Sequence, residues 1–367
     1  MKVLKFIAVN LAVFLILLVA VNWACGLYVK KTGKADRSEL PNYDADREHA
    51  RAIFADYNRV KHRYEPFVGW RTLPYNGPTT RISSEGRRVH DGNDSRTDKP
   101  VVRFFGGSTM WGEGADDNHT IPALFNALHP EYRVVNHGQL AYNSRQELDE
   151  LISTYTRGER TDIVIFYDGV NDAAFLCPTV IDQLPAHRLV PMYREKLYAG
   201  TKAVIKDLAY RVFISNIMEA IQRISSNAST APALYNCVSN PDKAEAIAEM
   251  MMLHWELAHE LVSTRGGSFY AVLQPAAFIG KPRTDHLDLD KELGENFREI
   301  YQRVRTKIAE RQHPWIIDLS DRFDGNDYIF IDFCHVSSSG NAIIAREISQ
   351  AVPRLSGESR PVKLATP

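Results

Sequence analysis

The chain carries almost no net charge: 44 lysine and arginine residues stand against 45 aspartate and glutamate residues, leaving −1. Nucleic-acid recognition normally needs a basic face, so no nucleic-acid partner is expected. Cysteine is scarce as well. There are four in 367 residues, at 25, 177, 237 and 334, with no Cys-x-x-Cys pair and no Cys/His cluster to frame a zinc site. A bridge between Cys177 and Cys237 would close a long insertion and suit an oxidising compartment; two buried free thiols fit the same spacing. "HWELAH" at 254–259 has histidines five apart rather than four, so they do not share a helix face. Neither a metal nor a cofactor is expected.

Long apolar runs are lacking with one exception. "FIAVNLAVFLILLVAVNWACGLYV", residues 6–29, holds no charge and two asparagines. About 20 apolar residues cross a bilayer, so the run is long enough to span, and it exceeds the 7 to 15 residues usual for a signal-peptide core. "NWAC" before Gly26 is a poor lipoprotein site. An uncleaved anchor is the preferred reading. Lys2 and Lys5 precede the run and Lys30, Lys31 and Lys34 follow it, so flanking charge says little about orientation.

What remains is globular in composition, with 44% hydrophobic and 24% charged residues. Residues 1–35 read as anchor and flank, and 36–100, rich in glycine, proline and arginine after residue 64, as a linker and accessory segment. Then the rhythm changes. Short β-branched or aromatic runs at 101–106, 132–136, 162–167, 268–273 and 314–319 alternate with helical patterns at about 119–129, 144–158, 241–265, 288–312 and 340–352. That alternation predicts a doubly wound, mostly parallel five-stranded sheet covered on both faces, a three-layer α/β/α domain over 101–356. A helix-rich insertion interrupts it at about 175–240, and 357–367 forms a tail. Ligands of such sheets bind outside the carboxyl ends of the strands.

Four blocks fall at those ends. In "RFFGGSTMWGEG" (103–114) Ser108 follows two glycines that let the backbone turn; alone, Gly-Gly-Ser-Thr is also a common loop and helix-cap composition. "VVNHGQLAYNS" offers Gly138, with Asn136 or Asn143 as loop supports and His137 as a structural histidine. "IVIFYDGVNDA" offers the amide of Asn171, while Asp168 and Asp172 suit turn-holding and helix-capping. "FIDFCHVSSSGNAIIA" sets Asp332 three residues before His335, and a carboxylate there can fix the tautomer of a histidine that takes a serine proton.

Taken together, "GGST" (106–109), "NHGQLAYNS" (136–144), "DGVND" (168–172) and "DFCH" (332–335) resemble the SGNH hydrolases, the GDSL esterase/lipase superfamily, over roughly residues 100–352. The resemblance implies a flavodoxin-like fold, Ser108 as nucleophile, His335 as general base then acid, and Asp332 as its orienting carboxylate. It further implies an oxyanion hole from the amides of Ser108 and Gly138 and the side chain of Asn171. Two positions depart from the family pattern: Gly107 replaces the aspartate before the serine, and Tyr142 replaces a small residue. Trp111 and Tyr142 stand near the site as core residues or, on the sharper reading, as platforms for a sugar. The implied activity is hydrolysis of an ester, with an O-acetyl group on a cell-envelope or exported polysaccharide as the lead substrate. The domain is then expected outside the cytoplasm, periplasmic or at the cell surface. An O-acyltransferase, a lipase or thioesterase with the insertion as lid, and a non-catalytic polysaccharide-binding module are the alternatives.

Overall fold

A computed structural model describes residues 2–31, 36–92, 98–185, 187, 189–198, 201–226 and 234–352; the expected tail at 357–367 lies outside them. The chain begins with helix α1 (Lys2–Lys31), α2 (Arg47–Tyr57) and two hairpins, β1 (His62–Glu65) with β2 (Gly69–Thr72) and β3 (Tyr75–Asn76) with β4 (Arg81–Ile82). The main domain follows as β5 (Val101–Gly106), α3 (Ser108–Trp111), α4 (Ile121–Leu128), β6 (Arg133–Asn136), α5 (Ser144–Thr156), β7 (Ile163–Asp168) and α6 (Val170–Leu176). An insertion carries α7 (Leu189–Tyr198), α8 (Thr201–Phe213) and α9 (Ser215–Ser226). The chain closes with α10 (Pro241–Ser263), β8 (Ser268–Leu273), α11 (Lys291–Arg311), β9 (Ile316–Asp318) and α12 (Ser338–Ala351).

Strands β5 to β9 form one sheet in the order β6-β5-β7-β8-β9, and every neighbouring pair is parallel. Both faces are apolar because both are covered. Val102, Phe104, Ile163 and Ile165 point toward α4 and α12, whereas Phe105, Val164 and Phe166 pack under α5, α6, α10 and α11. The expected elements are all present, and caps trim their ends. Thr120 caps α4 and Pro122 sits in its first turn, Asp290 caps α11, and Gln312 ends α11 in a left-handed conformation (φ 50°). Strand order reverses at β5, so the crevice for a ligand lies between the carboxyl ends of β5 and β7.

The segment before the sheet is woven into the loops around that crevice. Trp70 Nε1 donates to the Leu140 carbonyl (2.8 Å), the Tyr142 hydroxyl donates to the Trp70 carbonyl, and Gln146 Nε2 donates to the Val68 carbonyl (2.6 Å). "YEPFVGWR" thus covers the loop after β6 and the start of α5. Cys177 and Cys237, sixty positions apart, form a disulfide across the base of the insertion, with Cα atoms 5.3 Å apart.

Arg88 is the deepest of these ties. Its guanidinium is buried, pairs with Asp117 Oδ1 (2.9 Å), and donates to the carbonyls of Gly112 (2.6 Å) and Ala115 (2.7 Å) in the loop after α3. Removing the cation takes a donor from both carbonyls, of which Gly112's keeps only the Ala115 amide (3.2 Å), and deprives Asp117 of a buried partner. Arg88→Met should therefore cost ~3 kcal/mol, read as a lower denaturation midpoint in urea, while Arg47→Met, at an exposed position of α2, should leave that midpoint where it is.

Candidate active site

Ser108 opens α3 directly after β5, and Asp332 and His335 lie on the loop before α12. His335 Nε2 stands 2.6 Å from Ser108 Oγ, and His335 Nδ1 stands 2.7 Å from Asp332 Oδ2. The carboxylate is fixed in turn by its own loop: Asp332 Oδ1 accepts from the amides of Cys334 (2.9 Å) and His335 (2.8 Å). When the imidazole is neutral, the Asp332 contact keeps the hydrogen on Nδ1 and leaves the Nε2 lone pair facing the serine, the tautomer a general base needs.

Three oxyanion donors were expected: the amides of Ser108 and Gly138 and the side chain of Asn171. The Ser108 amide lies in the first turn of α3, where helix geometry supplies no acceptor. Asn171 Nδ2 is pinned by donating to the Tyr142 carbonyl (2.6 Å), which holds it against Gly107. A β-carbon at Gly107 would come within 2.0 Å of that nitrogen, which accounts for glycine where the family pattern has aspartate. Gly138 is brought to the site but serves differently from the expectation. Its amide donates to Asn136 Oδ1 (2.8 Å), and Asn136 Nδ2 donates onward to the Met110 carbonyl (3.1 Å). A β-carbon on Gly138 would lie 2.4 Å from the Trp111 nitrogen, so close approach of the loop to α3 requires the glycine.

The expected sugar platform is not there. Trp111 and Tyr142 are each 1% exposed. Trp111 lies under the Arg88 guanidinium (4.4 Å) and edge-on to Tyr57, and Tyr142 packs edge-on against Trp70. Both are core residues because the accessory segment covers them. Asp172 does not cap its own helix. Its Oδ1 accepts from Ser144 Oγ (2.6 Å) and ties α6 to the start of α5, and burial with the charge of Asp168 pushes its pKa to about 7. Asp168 accepts from Trp255 Nε1 (2.7 Å), and burial raises it to about 6. His137 is structural as expected: it is buried between Arg103 and Glu150, and burial lowers its pKa to about 3.

Sequence reasoning missed two residues. Glu113 Oε2 lies 3.1 Å from His335 Nε2, and Arg37 Nη1 joins Glu113 Oε1 (2.7 Å) to Asp332 Oδ2 (3.1 Å). The His335 imidazole thus stands between two carboxylates that one guanidinium holds together. Glu113 gave a faint signal as an acid between two glycines just after the serine; Arg37 gave none, since its partners are 76 and 295 positions away. Burial works against a charged His335, but the charges of Asp332 and then Glu113 outweigh it and carry the pKa well above the ordinary histidine value.

Asp332, Cys334 and His335 also offer donor atoms within 4.8 Å of one another, the one such metal-like group among the described residues. Its chemistry fits a metal poorly. Nδ1 and the carboxylate already bind each other, and burial pushes the Cys334 thiol up to about 12, keeping it protonated.

No family model matches the chain, and no curated protein matches it. Among solved structures it is similar to Est24, a carbohydrate acetylesterase from Sinorhizobium meliloti. Identity is 12%, the match covers 69% of this chain and 97% of that one, and the TM-score is 0.40. It is similar also to a lipolytic protein of the G-D-S-L family from Veillonella parvula (12% identity, 70% and 99% covered, TM-score 0.39) and to the aryl esterase of M. smegmatis (12%, 68% and 97%, 0.34). Likenesses of this size decide nothing about activity. The side-chain geometry has to carry that.

Two outcomes are expected. A neutral His335 is required to take the serine proton, so a raised pKa delays activity until pH climbs through it. Glu113→Gln removes one of the charges that raise it, and the acidic limb of kcat/KM should move to lower pH; an unmoved limb would assign Glu113 a packing role. Gly107→Ala should displace Asn171 and lower kcat by ~10-fold or more at little cost in stability, since a misplaced oxyanion donor is a lost transition-state contact.

Proposed function

We propose that the chain is a serine ester hydrolase of SGNH type that removes a small acyl group, acetyl in the leading case, from hydroxyls of a cell-envelope or exported polysaccharide. The observation that supports it most is the continuous hydrogen-bonded line from Asp332 through His335 to Ser108 at the strand-end crevice. Ser108 Oγ attacks the acyl carbonyl as its proton passes to His335 Nε2, and Asp332 steadies the imidazolium. The developing oxyanion takes hydrogen bonds from the Ser108 amide and Asn171 Nδ2. The imidazolium then protonates the departing alcohol oxygen, leaving an acyl-serine. Water enters, gives a proton to His335 and releases the acid as Oγ regains its proton.

The low exposure of Ser108 and His335, 8% each, favours a small acyl group in this reading. The Cys177–Cys237 bridge supports an oxidising compartment, and with α1 as anchor it fits a domain held outside the cytoplasm, where acetylated envelope polymers are. The alcohol side of the substrate rests on that placement and on the family resemblance.

The test is acetate release by the full-length protein in detergent, from p-nitrophenyl acetate and from an O-acetylated polysaccharide. Ser108→Ala and His335→Ala should fall to background with unchanged melting temperature, and Asn171→Ala should lose ~10²–10³ in kcat. Equal rates in wild type and both triad variants would contradict hydrolysis at this site.

A further inference from the structure

The insertion leaves an apolar face uncovered. From the turn residue Ile214 into α9, Met218, Ile221 and Ile224 recur at helical spacing along one side, and on α8 Leu208 and Val212 do the same; all six are between 41% and 62% exposed. Isolated exposed apolar residues are ordinary, but a continuous stripe along two successive helices marks a surface that meets something. Its neighbour identifies the partner. Both helices pack on α1, the helix long and apolar enough to cross a bilayer.

One polar side chain makes that junction. Asn22 is the buried residue of α1, and it satisfies the break between α8 and α9 on both sides. Its Nδ2 donates to the carbonyls of Arg211 and Val212 (both 3.1 Å), and its Oδ1 accepts from the amides of Asn216 (2.9 Å) and Ile217 (3.3 Å). Those groups are the orphans that any helix end leaves, and a water-poor setting makes each costly unless paired. Trp23 and Tyr28 follow on α1 and are exposed, the residue types that settle at a membrane–water boundary. The break between α8 and α9 therefore sits at the level where α1 leaves the hydrocarbon. Lys206, Arg211 and Glu219 are exposed on the same two helices, a mixture of charge and apolar stripe that suits the boundary rather than the bilayer core.

We infer that α8 and α9 form an interfacial membrane-binding element, locked to α1 by Asn22, with its apolar stripe in the lipid headgroup–acyl boundary. The inference depends on α1 being a membrane anchor and is independent of the ester chemistry. The enzyme would then meet the membrane at two places, the transmembrane helix and a helical foot beside it.

The experiment uses full-length protein in phosphatidylcholine–phosphatidylglycerol vesicles, with both free thiols removed (Cys25→Ala, Cys334→Ala) and the Cys177–Cys237 bridge intact as background. Single cysteines replace Met218, Ile221 or Glu219 and carry nitroxide labels. Expected are higher collision rates with oxygen than with a water-soluble nickel chelate at 218 and 221, and the reverse at 219. Asn22→Leu should make the 218 and 221 labels more mobile; unchanged spectra would contradict the lock. Equal nickel access at all three sites would overturn membrane contact. Exclusion of both reagents with spin–spin broadening would put a second copy of the chain on the stripe instead. Release of the protein by alkaline carbonate would show that α1 is no anchor, and the inference would fall with it.

Discussion

The hydrogen bond between His335 Nε2 and Ser108 Oγ joins residues 227 positions apart, and most of the structure can be read as what holds its two ends in register. The parallel sheet fixes the Ser108 end, because β5 is interior and buried on both faces. The Asp332 turn fixes the other, with two backbone amides gripping the carboxylate that in turn grips the imidazole. The crevice at the strand reversal is the one place where a βα turn and a pre-helix loop can meet from opposite sides.

Proximity sets a second constraint, at the end of α1. Arg37 touches both Glu113 and Asp332, and it follows α1 by only six residues. Six extended residues span at most about 22 Å. The Ser108–His335–Asp332 cluster is therefore tied close to the end of α1, whatever path the intervening chain takes. Arg37 also does chemical work there: it offsets the repulsion between two carboxylates that face one imidazole, and so lets Glu113 sit where its charge raises the histidine. The tie to α1 and the electrostatic setting of His335 run through the same side chain.

Much of the fold was legible in the sequence because a doubly covered parallel sheet writes itself as apolar runs such as "VVRFFG" and "DIVIFY", separated by amphipathic helices. The site blocks were legible for a related reason: each sits at a strand end, where glycines and small polar residues mark the turn. What stayed hidden depends on direction and distance. Trp111 and Tyr142 are near the site in sequence, but the accessory segment buries them, and no local pattern tells which side of an aromatic ring will be covered. The Gly138 amide was expected to face substrate; a side chain two residues earlier, Asn136, takes it. Arg37 and Glu113 meet across 76 positions, and the junction of Asn22 with α9 spans 194. Single-chain periodicity carries no information about such pairs.

The central claim is that Ser108 becomes acylated, and the most direct test is to catch it. Full-length protein mixed with an aryl acetate, quenched in acid within the first turnover and digested, should show acetyl on the peptide that carries Ser108, and no such adduct in Ser108→Ala. Acetyl located on another residue, or turnover with no covalent adduct under conditions where deacylation is slow, would contradict the account.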